Sequence, residues 1–255
     1  MGLDRVKALL DAECARRDDA AELCDARPDP LLVARDYRDP SVALICALFG
    51  YGSAAQIVRF LRSLDFSLLE APEPRIREAL QSRYYRFQKA EDLIALFIAL
   101  RRLGQEASLE EIFMRGYRES ASVLEGIEAL IRAIEGIYVH ESRGYRFLLG
   151  RAPSEGGNAP YKRWNMFLRW MVRRDALDMG LWQGVSRADL LIPLDTHTFH
   201  TARRLGLLRR KSYDLKAVFA LTEQLRRFDP ADPVRYDFAL YRIGQEKLLD
   251  LATLK

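Results

Sequence analysis

The chain has 255 residues, enough to bury a core as one large domain or as two lobes. Its composition is 49% hydrophobic and 30% charged, which is typical of a folded protein and excludes a disordered or collagen-like chain. The formal net charge of +4 is too small to identify a nucleic-acid partner by itself. The three cysteines show no CxxC spacing, so we expect no metal and no cofactor. We also expect a cytoplasmic location, since neither a signal peptide nor a transmembrane-length apolar run occurs.

Apolar residues recur at helical spacing through most of the chain, and no stretch shows the period of two that a strand requires. We therefore predict an all-α fold. The predicted helices, in chain order, are 3–24, 42–49, 54–64, one within 83–103, one opened by a Ser108–Glu111 capping box, 124–137, one that begins at Lys162, 195–205, 214–228 and 234–254. Predicted turns or linkers at 28–30, 50–53, 71–74, 147–160, 181–186 and 229–233 separate them.

The helix that begins at Lys162 has the sequence KRWNMFLRWMVR and follows the turn GGNAP at 156–160. An exposed lysine has a pKa of roughly 10.4, whereas amine catalysis needs a pKa of roughly 7–8. Partial burial beside Trp164 or Met166, a nearby arginine and a position in a first helical turn would all lower the pKa of this amine. Lys162 is therefore either an activated amine or an ordinary lysine of a basic helix surface.

A second candidate group follows in residues 190–198, LLIPLDTHT. Asp195 comes two residues after Pro193 and has the position of a helix N-cap. A capping carboxylate stays ionised because backbone N–H groups and the helix dipole favour its charge. The same charge can stabilise the oxocarbenium-like transition state of glycosidic cleavage. Asp195 is therefore either a cap alone or a cap that also takes part in catalysis.

Residues 192–198, IPLDTHT, and 202–207, ARRLGL, resemble the (V/I)PxDTH…AxRLGL signature of helix-hairpin-helix DNA glycosylases such as endonuclease III. The LPGxG hairpin and the cysteine cluster of endonuclease III are absent, so the chain is more similar to the archaeal 8-oxoguanine glycosylase branch. It also resembles a poorly characterised bacterial family that carries KRxNMFLRWMVR and IPLDTHT together. The similarity is strongest over 150–250 and faint at 85–91, YRFQKAE.

The resemblance implies a two-lobed helical glycosylase fold with its active site between the lobes. The expected lobes are 41–140 and 145–255, the second completed by the N-terminal helix, with the hairpin at about 150–162. The protein is expected to act as a monomer on double-stranded DNA that contains a damaged base, and not at a membrane.

The resemblance also implies roles for individual residues. Lys162 would form a Schiff base with the sugar, assisted by Asp195. Tyr241 would stack on the flipped base, Asp237 would accept hydrogen bonds from its edge, and Met166 would cover its other face. Tyr241 could equally be a core residue, and Asp237 a surface or capping carboxylate. The expected phosphate contacts come from Gly156, Gly157, Arg163, Arg169 and Arg203.

The predicted function is thus a bifunctional DNA glycosylase and AP lyase of base excision repair, which removes an oxidised purine, with 8-oxoguanine as the expected lesion. Three alternatives stay open. The protein could be a DNA-binding protein of the same fold without catalysis, an all-α interaction domain that does not bind DNA, or a glycosylase for another damaged base.

Overall fold

The computed structural model describes residues 2–246, in which α-helices are the only extended regular elements. This confirms the predicted all-α class. The described part of the chain forms two compact units, a middle unit of residues 28–157 and a terminal unit of residues 2–27 and 158–246. No helix within residues 2–246 is both long enough and apolar enough to cross a membrane.

Eight helices form the middle unit: α2 Pro30–Tyr37, α3 Pro40–Leu48, α4 Ala54–Arg62, α5 Glu73–Leu80, α6 Ala90–Glu106, α7 Leu109–Ser120, α8 Val123–Ile137 and α9 Arg143–Leu149. Helix α6 lies in its core, since Leu93, Leu96, Phe97 and Leu100 are all buried. The capping box of Ser108 and Glu111 is present as predicted and opens α7.

The described part of the terminal unit contains α1 Leu3–Arg17, α10 Lys162–Val172, α11 Thr196–Arg204, α12 Leu215–Arg226 and α13 Asp237–Gln245. Helix α1 is held against the end of α13 by charged groups. The buried Arg17 pairs with Glu22 and Glu246, each at 2.9 Å, and the Tyr236 hydroxyl donates to Asp11 at 2.9 Å. The N-terminal helix therefore belongs to the same unit as the last described helix.

The unit boundaries differ from the predicted lobes. Helix α2 lies with the middle unit because it packs on α3 and α4, although the predicted lobe began at 41. Residues 143–157 also lie with the middle unit, where the Ser154 amide donates to Glu128 at 2.9 Å. The predicted hairpin segment, 150–162, is consequently divided between the two units.

Several helix bounds correct the sequence-based prediction. The predicted linker at 71–74 is wrong, since Pro74 lies in the first turn of α5, where a missing N–H costs no hydrogen bond. Helices α2 and α9 were not predicted. Helix α6 begins at Ala90, well after residue 83, because residues 85–88 form a tight turn. Helix α13 begins after a 3-10 turn, Pro233–Tyr236, and its predicted end at 254 lies outside the described residues.

Candidate functional site

Lys162 is the first residue of α10 and is half-buried. The residue before it, Tyr161, has left-handed backbone angles, φ 46° and ψ 33°, which are uncommon for a residue with a side chain. The buried Asn165 donates from Nδ2 to the Pro160 carbonyl at 3.2 Å. The backbone at Lys162 is thus fixed by its own helix and by a hydrogen bond across the preceding turn.

Asp195 is the N-cap of α11, as predicted, and its Oδ1 atom accepts a hydrogen bond from the Thr198 amide at 2.7 Å. The carboxylate is half-buried. Nearby, the Tyr213 hydroxyl donates to the Leu194 carbonyl at 2.6 Å. Burial, together with the negative charge of Asp195, raises the pKa of Tyr213 to about 12. Tyr213 therefore stays a neutral hydrogen-bond donor next to this carboxylate at physiological pH.

Asp237 is the first residue of α13, and only 5% of its surface is exposed. Its Oδ2 atom lies 2.5 Å from Arg169 Nη1. Burial raises the pKa of Asp237 to about 6; the charge of Arg169 opposes this shift and that of Asp195 adds to it. The carboxylates of Asp195 and Asp237 are therefore close enough to interact.

Arg169 lies two helical turns after Lys162 and is at the centre of a buried ion-pair network. Its Nε and Nη2 atoms donate to Asp178 Oδ1 at 3.1 and 3.0 Å. One turn further on, Arg173 pairs with Asp178, with Asp175 at 2.8 Å and with Asp232 at 3.0 Å. The expectation that Arg169 contacts a DNA phosphate is therefore corrected, because its guanidinium is buried among carboxylates of its own unit.

Helices α11 and α13 pack closely at Gly244. A Cβ atom at this position would overlap with Thr201 Oγ1 and would lie 3.0 Å from the His197 carbonyl oxygen. One turn earlier on α13, the half-buried Tyr241 ring makes an edge contact with the His197 ring, with centroids 5.8 Å apart. Glycine is thus needed at position 244, where α13, which carries Tyr241, packs against α11, which Asp195 caps.

The other expected base and phosphate contacts differ in exposure. Met166 is buried, with 7% of its surface exposed, so it presents little surface to a ligand. Arg163 is half-buried, and Arg203 is exposed, with its guanidinium 5.7 Å from the centre of the Phe199 ring. In the middle unit, Gly156 and Gly157 are exposed and have φ of 77° and 121°, angles that glycine adopts readily.

The structure thus brings Asp195, Asp237 and Arg169 together with the α11–α13 contact of Tyr241, all in the terminal unit. It also identifies two groups that sequence reasoning missed, the Tyr213 hydroxyl and the Asp178 carboxylate. Sequence patterns marked neither one: the Tyr213 hydroxyl contacts a carbonyl 19 residues earlier, and Asp178 lies in a loop after α10, nine residues from Arg169. The ion pair of Arg169 with Asp237 connects α10, which begins at Lys162, to α13, and α13 packs against the helix that Asp195 caps.

The family described as "Protein of unknown function (DUF2400)" matches residues 29–246, most of the chain. The chain belongs to this family. No curated protein and no solved structure matches it. The DUF2400 match covers the middle unit apart from residue 28, and the described part of the terminal unit apart from residues 2–27.

Proposed function

We propose that this DUF2400 protein is a bifunctional DNA glycosylase and AP lyase that removes an oxidised purine, with 8-oxoguanine as the expected lesion. The supporting observation is the connection between two candidate groups at helix N-termini. Lys162 begins α10, and the same helix reaches Asp237 through Arg169. Asp237 in turn interacts with the charge of Asp195, which caps α11. The amine on α10 and the carboxylate that caps α11 are thus linked through α13, which forms an ion pair with α10 and packs against α11.

In the proposed reaction, the unprotonated Lys162 amine attacks C1′ of the damaged nucleoside. The C1′–N9 bond breaks, and the departing purine carries away the bonding electrons and takes a proton. One amine proton goes to the departing purine and the other to the ring oxygen O4′, as the C1′–O4′ bond breaks and the Schiff base forms. A proton then leaves C2′ and the C3′–O bond breaks, which cuts the strand. The Asp195 carboxylate stabilises the positive charge that develops on the sugar.

The remaining residues take roles that follow from their exposure. Tyr241, half-buried against His197, stacks on the flipped base. Asp237 braces the site through Arg169 and sets the local charge, because its burial leaves little surface for a base edge. The exposed groups, Arg203 and the backbone of Gly156 and Gly157, contact phosphates.

The burial of Met166 and Asp237 favours a second candidate function, a DNA-binding protein of the same fold without catalysis. Under this alternative, Lys162 is a cation of the DNA-binding surface and Asp195 is only a cap. The two functions differ in one covalent property. Only the enzyme forms a Schiff base that borohydride reduces to a stable protein–DNA adduct.

The test is a panel of otherwise identical duplexes that carry 8-oxoguanine, uracil, an alkylated purine or an abasic site. Each is incubated with the protein, with and without sodium borohydride, and resolved for nicked strands and trapped adducts. We expect nicking and trapping on the 8-oxoguanine and abasic duplexes. Salt-dependent binding without trapping on any duplex would establish the second candidate instead. Trapping on a different lesion would keep the mechanism and change the substrate.

A further inference from the structure

An exposed aromatic surface lies on the middle unit, outside the site described above. Phe87 and Phe147 are 47% and 43% exposed, although large apolar side chains usually avoid water. Their rings meet edge to face, with centroids 4.6 Å apart, and the Tyr51 ring contacts Phe147 at 5.0 Å and Phe87 at 5.9 Å. We name these three residues the aromatic platform. Three rings in mutual contact form one continuous apolar face.

A tight turn presents Phe87. Backbone hydrogen bonds close it on both sides, from the Tyr85 amide to the Gln88 carbonyl at 3.1 Å and from the Gln88 amide to the Tyr85 carbonyl at 2.9 Å. Arg86, between them, has a φ of 58°, a left-handed angle that costs free energy for a residue with a side chain. Its guanidinium lies 5.7 Å from the centre of the Tyr51 ring. The turn therefore holds an arginine and a phenylalanine at its tip, at the cost of a left-handed backbone at Arg86.

Buried polar groups hold the turn against α9. Gln88 donates from Nε2 to the Gly144 carbonyl at 3.1 Å and is also bonded to the Tyr51 hydroxyl. Just beyond the turn, the buried Asp92 accepts from the Lys89 amide at 2.9 Å and is bonded to Ser142 and to His140. Phe87 and Phe147 are therefore fixed relative to each other, which lowers the entropic cost of binding a planar ligand.

The charge around the platform is positive. Exposed cations outnumber exposed carboxylates by five to two in residues 83–91 and 141–147. The cations are Arg83, Arg86, Lys89, Arg143 and Arg146, and the carboxylates are Glu91 and Glu141. An aromatic face whose neighbouring residues along the chain are rich in arginine matches a polyanion with planar groups, because bases stack on the rings and phosphates pair with the cations. An acidic surface would pair only with the cations, and an apolar surface would contact only the rings, so the platform matches neither of them equally well.

We propose that the aromatic platform binds an unstacked base of a nucleic-acid strand, while Arg86, Arg143 and Arg146 hold the flanking phosphates. This inference rests on the nucleic-acid partner of the proposed function but not on its chemistry, because the platform contains neither Lys162 nor Asp195. Sequence reasoning missed it because Phe147 was assigned to a turn region. The exposure of both rings, and their contact, appear only in the folded unit.

The test uses a fluorescein-labelled duplex with a single bulged 2-aminopurine, and the fully paired duplex as its reference. Anisotropy gives the affinity, and quenching of 2-aminopurine reports stacking. The variants are Phe87→Ala and Phe147→Ala in the full chain, with their thermal unfolding measured in parallel. Phe219→Ala is the matched control, since Phe219 is also 43% exposed but lies on α12 of the terminal unit. Phe87→Trp restores a stacking ring at the tip of the turn.

We expect each alanine variant to weaken binding of the bulged duplex by about tenfold and to abolish the quenching. Phe219→Ala and Phe87→Trp should bind like the parent chain, and the paired duplex should bind equally to all four variants. The proposal would be overturned if the alanine variants lost affinity equally for the two duplexes, or lost none for either. The second outcome would indicate that the platform binds a protein partner. Borohydride trapping by the parent chain on the lesion panel tests the proposed enzymatic function separately. The enzymatic function and the base-binding role of the platform can therefore be rejected independently.

Discussion

Arg169 and Asp237 form a buried ion pair, 2.5 Å between Nη1 and Oδ2, that joins α10 to α13. Two carboxylates, Asp178 and Asp237, share this one guanidinium, and Arg173 completes the compensation of Asp178. The pair therefore sets the position of the helix that begins at Lys162 relative to the helices that carry Asp195 and Tyr241. The ion pair contributes to the stability of the fold, and this effect can be measured in the absence of DNA.

Replacing Arg169 by methionine should lower the free energy of unfolding by about 3–5 kcal/mol, because two buried carboxylates lose their main partner. Urea denaturation at pH 8 measures this loss. Arg203→Ala is the control: the side chain is exposed, so its removal should change stability by no more than about 0.5 kcal/mol. Equal stability of Arg169→Met and the parent chain would mean that the network contributes nothing to folding.

Asp237→Asn should alter how stability depends on pH. Because burial raises the pKa of Asp237 from 3.8 to about 6, the folded state binds its proton more tightly than the unfolded state does. This contribution to stability is complete below pH 4 and is lost as pH rises through 6. At about 1.4 kcal/mol per pKa unit, the total is about 3 kcal/mol.

Asparagine does not titrate, so Asp237→Asn lacks this pH-dependent contribution to stability. Relative to it, the parent chain should therefore lose stability between pH 4 and pH 6, and the difference should be constant above pH 7. Thermal unfolding of both chains across that range measures the effect. The neighbouring groups, Asp195, Asp178 and Arg169, are present in both chains. A difference that does not vary with pH would contradict the raised pKa.

Lys162→Gln should abolish strand nicking and borohydride trapping on an 8-oxoguanine duplex, since glutamine has no nucleophilic amine. DNA binding should be reduced only slightly, because one cation of many is lost. Gel-resolved single-turnover reactions and anisotropy give the two quantities. Lys216→Gln, an exposed lysine of the same unit, should nick at the parental rate. If Lys162→Gln also nicks at that rate, the lysine mechanism is wrong.

Asp195→Asn should slow base release while the helix stays capped. Asparagine is as good an N-cap as aspartate, so its side-chain oxygen can still accept from the Thr198 amide. Single-turnover base release should fall at least tenfold, and stability should change by less than about 1 kcal/mol. Asp39→Asn, at an N-cap that accepts from the Val42 amide at 2.8 Å, controls for the substitution itself. Unchanged base release by Asp195→Asn would leave Asp195 as a cap only.

Gly244→Ala should destabilise the terminal unit by about 1–3 kcal/mol, because the new methyl group overlaps with Thr201 Oγ1 and crowds the His197 carbonyl. Gly104→Ala, inside α6, is the matched control. No atom lies within 4 Å of a Cβ at Gly104, so the same substitution should stabilise by up to about 1 kcal/mol. Denaturant titrations give the change in the free energy of unfolding for both variants. Equal changes in the two would contradict the close approach at Gly244.

The sequence predicted features whose causes are local. The caps at Asp195 and Ser108 each contact an amide three residues away, so their residue types and spacing were enough. The ion-pair partners of Arg169 could not be predicted in the same way. Its partners are nine and 68 residues distant, and a buried arginine has the same sequence pattern as one on a basic surface.

The same limit applies to the rest of the candidate site. The Tyr213 hydroxyl reaches a carbonyl 19 residues earlier, and nothing in the intervening residues indicates that contact. Helix α5 was missed for a different reason. Its two prolines suggested a linker, although a proline in a first turn is compatible with a helix. Long-range contacts and ambiguous proline signals therefore account for most of the differences.

The discontinuous terminal unit has a consequence for how the chain is made on the ribosome. Residues 28–157 form a continuous segment that can fold as soon as it has emerged. The first helix, in contrast, must wait until Tyr236 and Glu246 have been synthesised before Asp11 and Arg17 can meet them. Leu10 and Val6, buried on α1 in the folded protein, can reach their final packing only at the same stage. Helix α1 is therefore completed in its unit only after the last helices of that unit have been made.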